Sequence, residues 1–108
     1  MPRKAEIVQN FARSAALGLG IHITELDMRV PQPATPEHAR QQAEDYRDII
    51  EVCLDAEACE MVVTWGFTDA DSWIPRAFPG YGGALLLDAN YQPKPAYRAL
   101  TALLSKAR

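Results

Sequence analysis

Two short runs, Ile21 to Met28 and Met61 to Trp65, read as buried strands, and stretches of helical periodicity stand before, between and after them. Helix, strand, helix, strand, helix is the order of parallel βα units, because parallel neighbours need a crossover and the crossover is usually a helix. Sites in such units form at the C-terminal ends of the strands. Both strand ends here are polar: Glu25 and Asp27 close the first, and Thr68, Asp69, Asp71, Ser72 and Trp73 follow the second. Two strands are fewer than a self-standing parallel sheet normally has, since both faces and both edges need cover. The sequence therefore predicts an α/β unit that is incomplete.

The helices are legible from spacing. Ile7, Val8, Phe11 and Ala15 recur at helical intervals, and Gly18 and Gly20 supply the stop. Thr35-Pro36-Glu37 is a helix start, with a hydroxyl cap, a proline at the first position and an acid in the first turn. Behind it Ala39, Ala43, Tyr46, Ile50 and Cys53 step by 4, 3, 4 and 3 and form one apolar stripe, and Arg40, Glu44, Arg47, Asp48 and Glu51 form a solvated face rather than a site. Pro95 opens a last helix with Tyr97, Leu100 and Leu104 on one stripe. Strand alternation puts Ile23 and Leu26 on opposite faces, and Gly66 marks a place where the backbone approaches a neighbour closely.

Composition narrows the function. A chain of 108 residues with 48% apolar content suits one globular unit spanning residues 1–108. Its net charge is −3, and its eleven basic residues form no stripe, which argues against nucleic acid or an anionic membrane as partner. No apolar run approaches the roughly 20 residues of a bilayer span. Met1 to Glu6 carries no signal-peptide pattern. Cys53 and Cys59, with five residues between them, fit neither a redox C-x-x-C nor a four-ligand zinc site, so no metal is expected. Two buried thiols and a short disulfide both remain open on composition alone.

Glu25 and Asp27 stand two residues apart, so an unbroken strand would point them the same way, as a catalytic pair would point. A carboxylate at the end of a buried strand is costly unless bonded, paired or functional. The plain alternatives are a strand-end acid in water for Glu25, a loop cap for Asp27, and ordinary core and rim aromatics for Trp65 and Trp73. Aromatics beside carboxylates at one mouth favour a sugar site, because flat rings stack on pyranose faces while acids handle the glycosidic oxygen and the anomeric carbon.

Several spaced motifs then agree in order: Ile23-Thr24-Glu25-Leu26-Asp27 with Arg29, Gln42-Ala43 with Tyr46, Cys53 with Cys59, Thr64-Trp65-Gly66 with Thr68-Asp69, Ser72-Trp73-Ile74-Pro75, Phe78-Pro79-Gly80 and Lys94-Pro95-Ala96-Tyr97. Together they resemble the C-terminal part of glycoside hydrolase family 10, mainly secreted endo-β-1,4-xylanases, from about Ile7 onward. The resemblance implies part of a (β/α)8 TIM barrel, a fold of about 250 residues, running from the sixth helix to the eighth with parallel strands seven and eight. It implies that Glu25 is the nucleophile of a retaining mechanism, that Asp27 orients it, and that Trp65 and Trp73 line the sugar subsites. It implies a Cys53–Cys59 disulfide, xylan or xylo-oligosaccharide as partner, and no cofactor.

The resemblance breaks at Ala70 and Asp71, where the family commonly has a lysine and an aromatic, so contacts at that rim do not carry over. The family's general acid/base comes from the fourth strand, for which this chain has no counterpart. None of Glu37, Glu44, Glu51, Glu57 and Glu60 sits at a strand end, and His22 stands at the wrong parity to touch Glu25. The isolated chain is therefore expected to lose the roughly 100-fold to 10,000-fold that general acid catalysis supplies. Two other readings stay open: a fragment that binds xylo-oligosaccharide or associates with itself through exposed barrel edges, and a truncated reading frame with no function of its own.

Overall fold

The first helix, α1 (Lys4–Ala16), ends because Gly18 can adopt the left-handed conformation that a reversing chain needs. Gly18 stands at φ +77°; its N–H reaches the Ala15 carbonyl at 2.9 Å and the Leu19 N–H reaches Ser14 at 3.2 Å, the paired bonds of a Schellman stop. The chain then enters strand β1 (Ile21–Leu26). This computed structural model describes residues 1–106; residues 107 and 108 of the expected unit lie outside the described residues.

Helix α2 (Pro36–Asp55) starts where the sequence predicts. Thr35 Oγ1 accepts from the His38 N–H at 3.1 Å, and His38 Nδ1 accepts from the Thr35 N–H at 3.1 Å, so a histidine completes the reciprocal cap more often closed by glutamate. The buried face comprises Gln42, Tyr46, Ile49, Ile50, Val52 and Cys53, wider than the predicted stripe. A disulfide from Cys53 to Cys59 ties the end of α2 to the start of strand β3 (Cys59–Thr64). A 3₁₀ turn (Asp69–Asp71), the one-turn helix α3 (Ile74–Ala77) and helix α4 (Pro95–Lys106) complete the chain, with a small antiparallel pair of β2 (Val30–Pro31) and β4 (Tyr81–Gly82) between them. Gln32–Pro33 is cis.

β1 and β3 pair in parallel, as the order of elements requires. One face of this sheet is covered: Tyr46, Ile49, Ile50, Ala96 and Leu100 form the core, and Ile23, Leu26, Met28, Val62 and Leu103 pack onto it. The other face is open. Met61 and Val63, at alternate positions to Val62, are 42% and 41% exposed.

Two predicted faces are wrong. Ile23 and Leu26 both pack on the one core, because the register runs Ile23 to Val62 and then Leu26 to Thr64. Two residues of β1, Thr24 and Glu25, thus oppose the single Val63, a β-bulge that resets the alternation. In α4 the buried face is Ala96, Leu100 and Leu103, while Tyr97 and Leu104 of the predicted stripe are exposed. The small Ala96 has to be inside because α2 approaches there, which residue size alone does not reveal.

Candidate active site

The bulge decides where Glu25 stands. With Ile23 and Leu26 both anchored in the core, the extra residue leaves Thr24 and Glu25 exposed at the C-terminal end of β1. Among the described residues no side chain donates a hydrogen bond or ion pair to Glu25. The same bulge removes the parity reasoning about His22, which is exposed as Glu25 is.

Asp27 stands past the end of β1, so strand alternation does not set its direction. It is half-buried, and its Oδ2 accepts from the Trp73 Nε1–H at 2.8 Å. The partner of Asp27 among the described residues is thus the indole rather than Glu25. Trp73 is 47% exposed and Trp65 50% exposed, the latter just past the end of β3 with its N–H bonded to the Leu26 carbonyl at 2.9 Å. Both ring systems are exposed on the strand-end side that carries Glu25, and exposed aromatic surface of this kind suits stacking on a sugar ring.

A layer of buried polar ties holds this mouth together. Gln42 reaches from α2 to two carbonyls, Met28 at 2.7 Å and Gly83 at 2.6 Å. Tyr46, fully buried, donates its hydroxyl to the Ala84 carbonyl at 2.5 Å. Burial pushes the Tyr46 phenol well above its ordinary range, and the negative charges of Asp27 and Asp69 push it further. Lys94, ahead of α4, pairs with Asp69 at 2.9 Å and donates to the Gly83 carbonyl at 2.6 Å, and the other Asp69 oxygen accepts from the Leu85 N–H at 2.9 Å. Gly66, at φ +110°, is where the backbone comes closest to this layer: a Cβ there would meet Leu85 Cδ1 at 2.9 Å, the close approach that the sequence predicts.

Gln42, Tyr46, Asp69 and Lys94 carry no role in the sequence reading, although a glutamine inside an apolar helical stripe is a usable signal. Arg29, Phe78 and Tyr81, which stack beside Trp73, are likewise unassigned there. Glu37, Glu44 and Glu51 lie on α2 and are paired with Arg40 or Lys4; Glu57 precedes β3 and Glu60 lies near its start. None is at the C-terminal end of a parallel strand. Among the described residues no three His, Cys, Asp or Glu side chains gather as a metal site, and no helix is long and apolar enough to cross a membrane.

Comparison with known proteins places this geometry in a family. The sequence model of glycosyl hydrolase family 10 matches residues 1–103. Endo-1,4-beta-xylanase 5 of Pyricularia oryzae is 45% identical over 107 residues, covering 98% of this chain and 26% of that protein. Endo-1,4-beta-xylanase B of Thermotoga neapolitana is 46% identical over 99 residues, covering 91% of this chain and 29% of that protein. Among solved structures, xylanase 10B of Thermotoga petrophila RKU-1 in complex with xylobiose superposes with a TM-score of 0.93 at 43% identity, over 97% of this chain and 32% of that one. The chain thus spans about a quarter to a third of the length of these relatives.

Proposed function

Because the chain belongs to glycosyl hydrolase family 10, we propose that it supplies the nucleophile side of a retaining endo-β-1,4-xylanase site. In this reading α1, β1, α2, β3 and α4 are the sixth helix, the seventh strand and helix, and the eighth strand and helix of a (β/α)8 barrel, and residues 1–108 are the C-terminal part of its catalytic domain. The observation that carries the reading is Glu25 itself: an exposed carboxylate, unpaired among the described residues, set by a bulge at the end of a parallel strand whose next acid, Asp27, binds an indole.

The chemistry follows from that placement. A Glu25 oxygen attacks the anomeric carbon while the glycosidic oxygen departs with a proton, leaving a covalent glycosyl-enzyme that water then hydrolyses. The proton donor in a retaining enzyme lies about 5 Å from the nucleophile; among the described residues no glutamate stands at the end of β3, and Asp69, which follows it, is held by Lys94 and the Leu85 N–H. Asp27 orients Glu25 and also holds the Trp73 indole through Oδ2, and Trp65 and Trp73 supply the stacking surfaces for xylose units. The chain alone is therefore a half-site.

An activated substrate separates the two halves of the chemistry. A dinitrophenyl xylobioside has a leaving group that needs no proton, so the purified chain should acquire one xylobiosyl unit on the peptide containing Glu25, detected by mass spectrometry, and Glu25→Gln should abolish it. No label on the wild-type chain would remove Glu25 as nucleophile. Turnover of xylan at the rate of a whole enzyme would instead remove the half-site claim. A second reading, a fragment that self-associates, is favoured by the open sheet face with Met61 and Val63 exposed, and sedimentation of the purified chain tests it.

A further inference from the structure

The rim of the mouth holds contacts that the proposed chemistry leaves unused. The guanidinium carbon of Arg29 lies over two rings at once, 4.2 Å from the Phe78 centroid and 4.7 Å from that of Tyr81. Phe78 in turn meets Trp73 edge to face, with centroids 5.5 Å apart and planes at 69°. The Nε1–H of the same indole is bonded to Asp27. Trp73 is thus gripped at two points, and both grips trace back to residues two apart in one segment.

The backbone supports the second grip. Arg29 immediately precedes β2, whose Pro31 pairs with Tyr81 and whose Val30 pairs with Gly82. The antiparallel pair therefore brings the Tyr81 ring to Arg29 from across the loop that follows α3. Arginine suits this position because its guanidinium is planar, permanently charged and weakly hydrated, so it stacks where a lysine ammonium would stay in water. Among the described residues Arg29 forms no ion pair, and its charge is met by aromatic faces.

We propose that Arg29, Phe78 and Tyr81 form a cation–aromatic clamp that sets the tilt of the Trp73 indole, which makes Arg29 a positioning residue for the sugar platform. That last step rests on the reading of Trp73 as a sugar-binding surface, whereas the clamp does not. Removing the stack frees the indole to rock about its remaining bond to Asp27, so binding weakens although no group that touches sugar has been removed. An exposed cation–aromatic contact has a strength that corresponds to about a two- to fivefold change in affinity.

The test uses the full chain with Trp65→Phe, so that Trp73 is the sole tryptophan. Arg29→Met is expected to raise acrylamide quenching and the fast phase of anisotropy decay of Trp73, and to weaken xylotriose binding by about two- to fivefold; Arg29→Lys is expected to restore little. Arg76→Met, on α3 and outside the stack, is the control. In the reciprocal Trp73→Phe background Arg29→Met should leave the quenching of Trp65 unchanged, which a general loosening would not. Unaltered Trp73 motion in Arg29→Met overturns the clamp. If that variant does not fold, Phe78→Leu is read by the same criterion, and unaltered Trp73 motion there overturns the clamp equally. Failure of the unclamped and the parental chain alike to bind xylotriose would remove the sugar-platform reading, while the motional measurements still decide the clamp.

Discussion

The two ends of the sheet are built on opposite principles. At the C-terminal mouth, Gln42 and Tyr46 from α2 and Lys94 from the segment before α4 donate to backbone carbonyls of the loops after β1 and β3, while Asp69 accepts from Lys94 and from the Leu85 N–H. Along β3 the chain instead leaves apolar groups uncovered: Met61 and Val63 on the open face, and Leu54 and Leu104 beside the hollow between α2 and α4. Directional bonds specify a geometry from within, whereas apolar surface only asks for cover of the right shape. The mouth therefore holds its loops through its own bonds, whereas the open face presents apolar surface of the kind that favours association.

The contrast is most exposed to disproof at Asp69. Its pair with Lys94 has both side chains only 15% exposed, so Asp69→Ala strands an ammonium and also orphans the Leu85 N–H. Breaking such a pair costs about 3 kcal/mol or more, a large share of what a small domain has. Urea unfolding should show the cooperative transition weakened or lost, and a shift as small as that of a surface substitution would mean the mouth is not held by these ties. Tyr46→Phe comes next, at about 0.5–1.5 kcal/mol for the lost hydrogen bond, since the Ala84 carbonyl keeps the Met28 N–H at 2.9 Å. Tyr46 also gives the pH sign. Its folded pKa lies above the unfolded value of about 10, so the folded state keeps a proton that the unfolded chain loses, and stability should fall as pH rises past that value. Tyr46→Phe should remove that part of the alkaline loss.

How much of this was legible depended on how local the cause is. The Gly18 stop, the Thr35 cap and the close approach at Gly66 each follow from one or a few adjacent residues, and the sequence predicts all three. The bulge at Thr24 and Glu25 does not, because it exists only relative to β3, and the residues themselves are compatible with an unbroken strand. The polar ties span 11 to 41 positions along the chain, so their side chains read as ordinary loop and helix residues until the fold brings the partners to them. The bond from Trp73 to Asp27 is the consequential case. It spans 46 positions and gives Asp27, predicted to orient the nucleophile, a bond to the aromatic surface as well.

The link between α1 and α2 tests whether surface charge contributes what the buried ties do. Lys4 lies 2.5 Å from Glu51 and holds that carboxylate below its usual range by hydrogen bond and charge, so what the pair contributes is present above the ordinary glutamate value of about 4.3 and lost as pH falls through the folded one. Lys4→Met should lower the urea midpoint slightly at low salt and negligibly at high salt, because exposed pairs are screened. A loss comparable to that of Asp69→Ala would erase the distinction between the two kinds of contact.

The smallest expected change in stability is at the open face, and it is the sharpest statement of the contrast. Met61→Lys places a charge on a strand position that is 42% exposed and outside the core, so the unfolding free energy should move by no more than about 0.5 kcal/mol. An inward or edge lysine is also how natural sheets discourage unwanted pairing. Sedimentation velocity should therefore show less self-association than in the parent, while the quenching of Trp73 stays the same. If Met61→Lys disturbed Trp73, the mouth would depend on the open face after all, and the separation between a region fixed by its own bonds and one waiting for cover would fail.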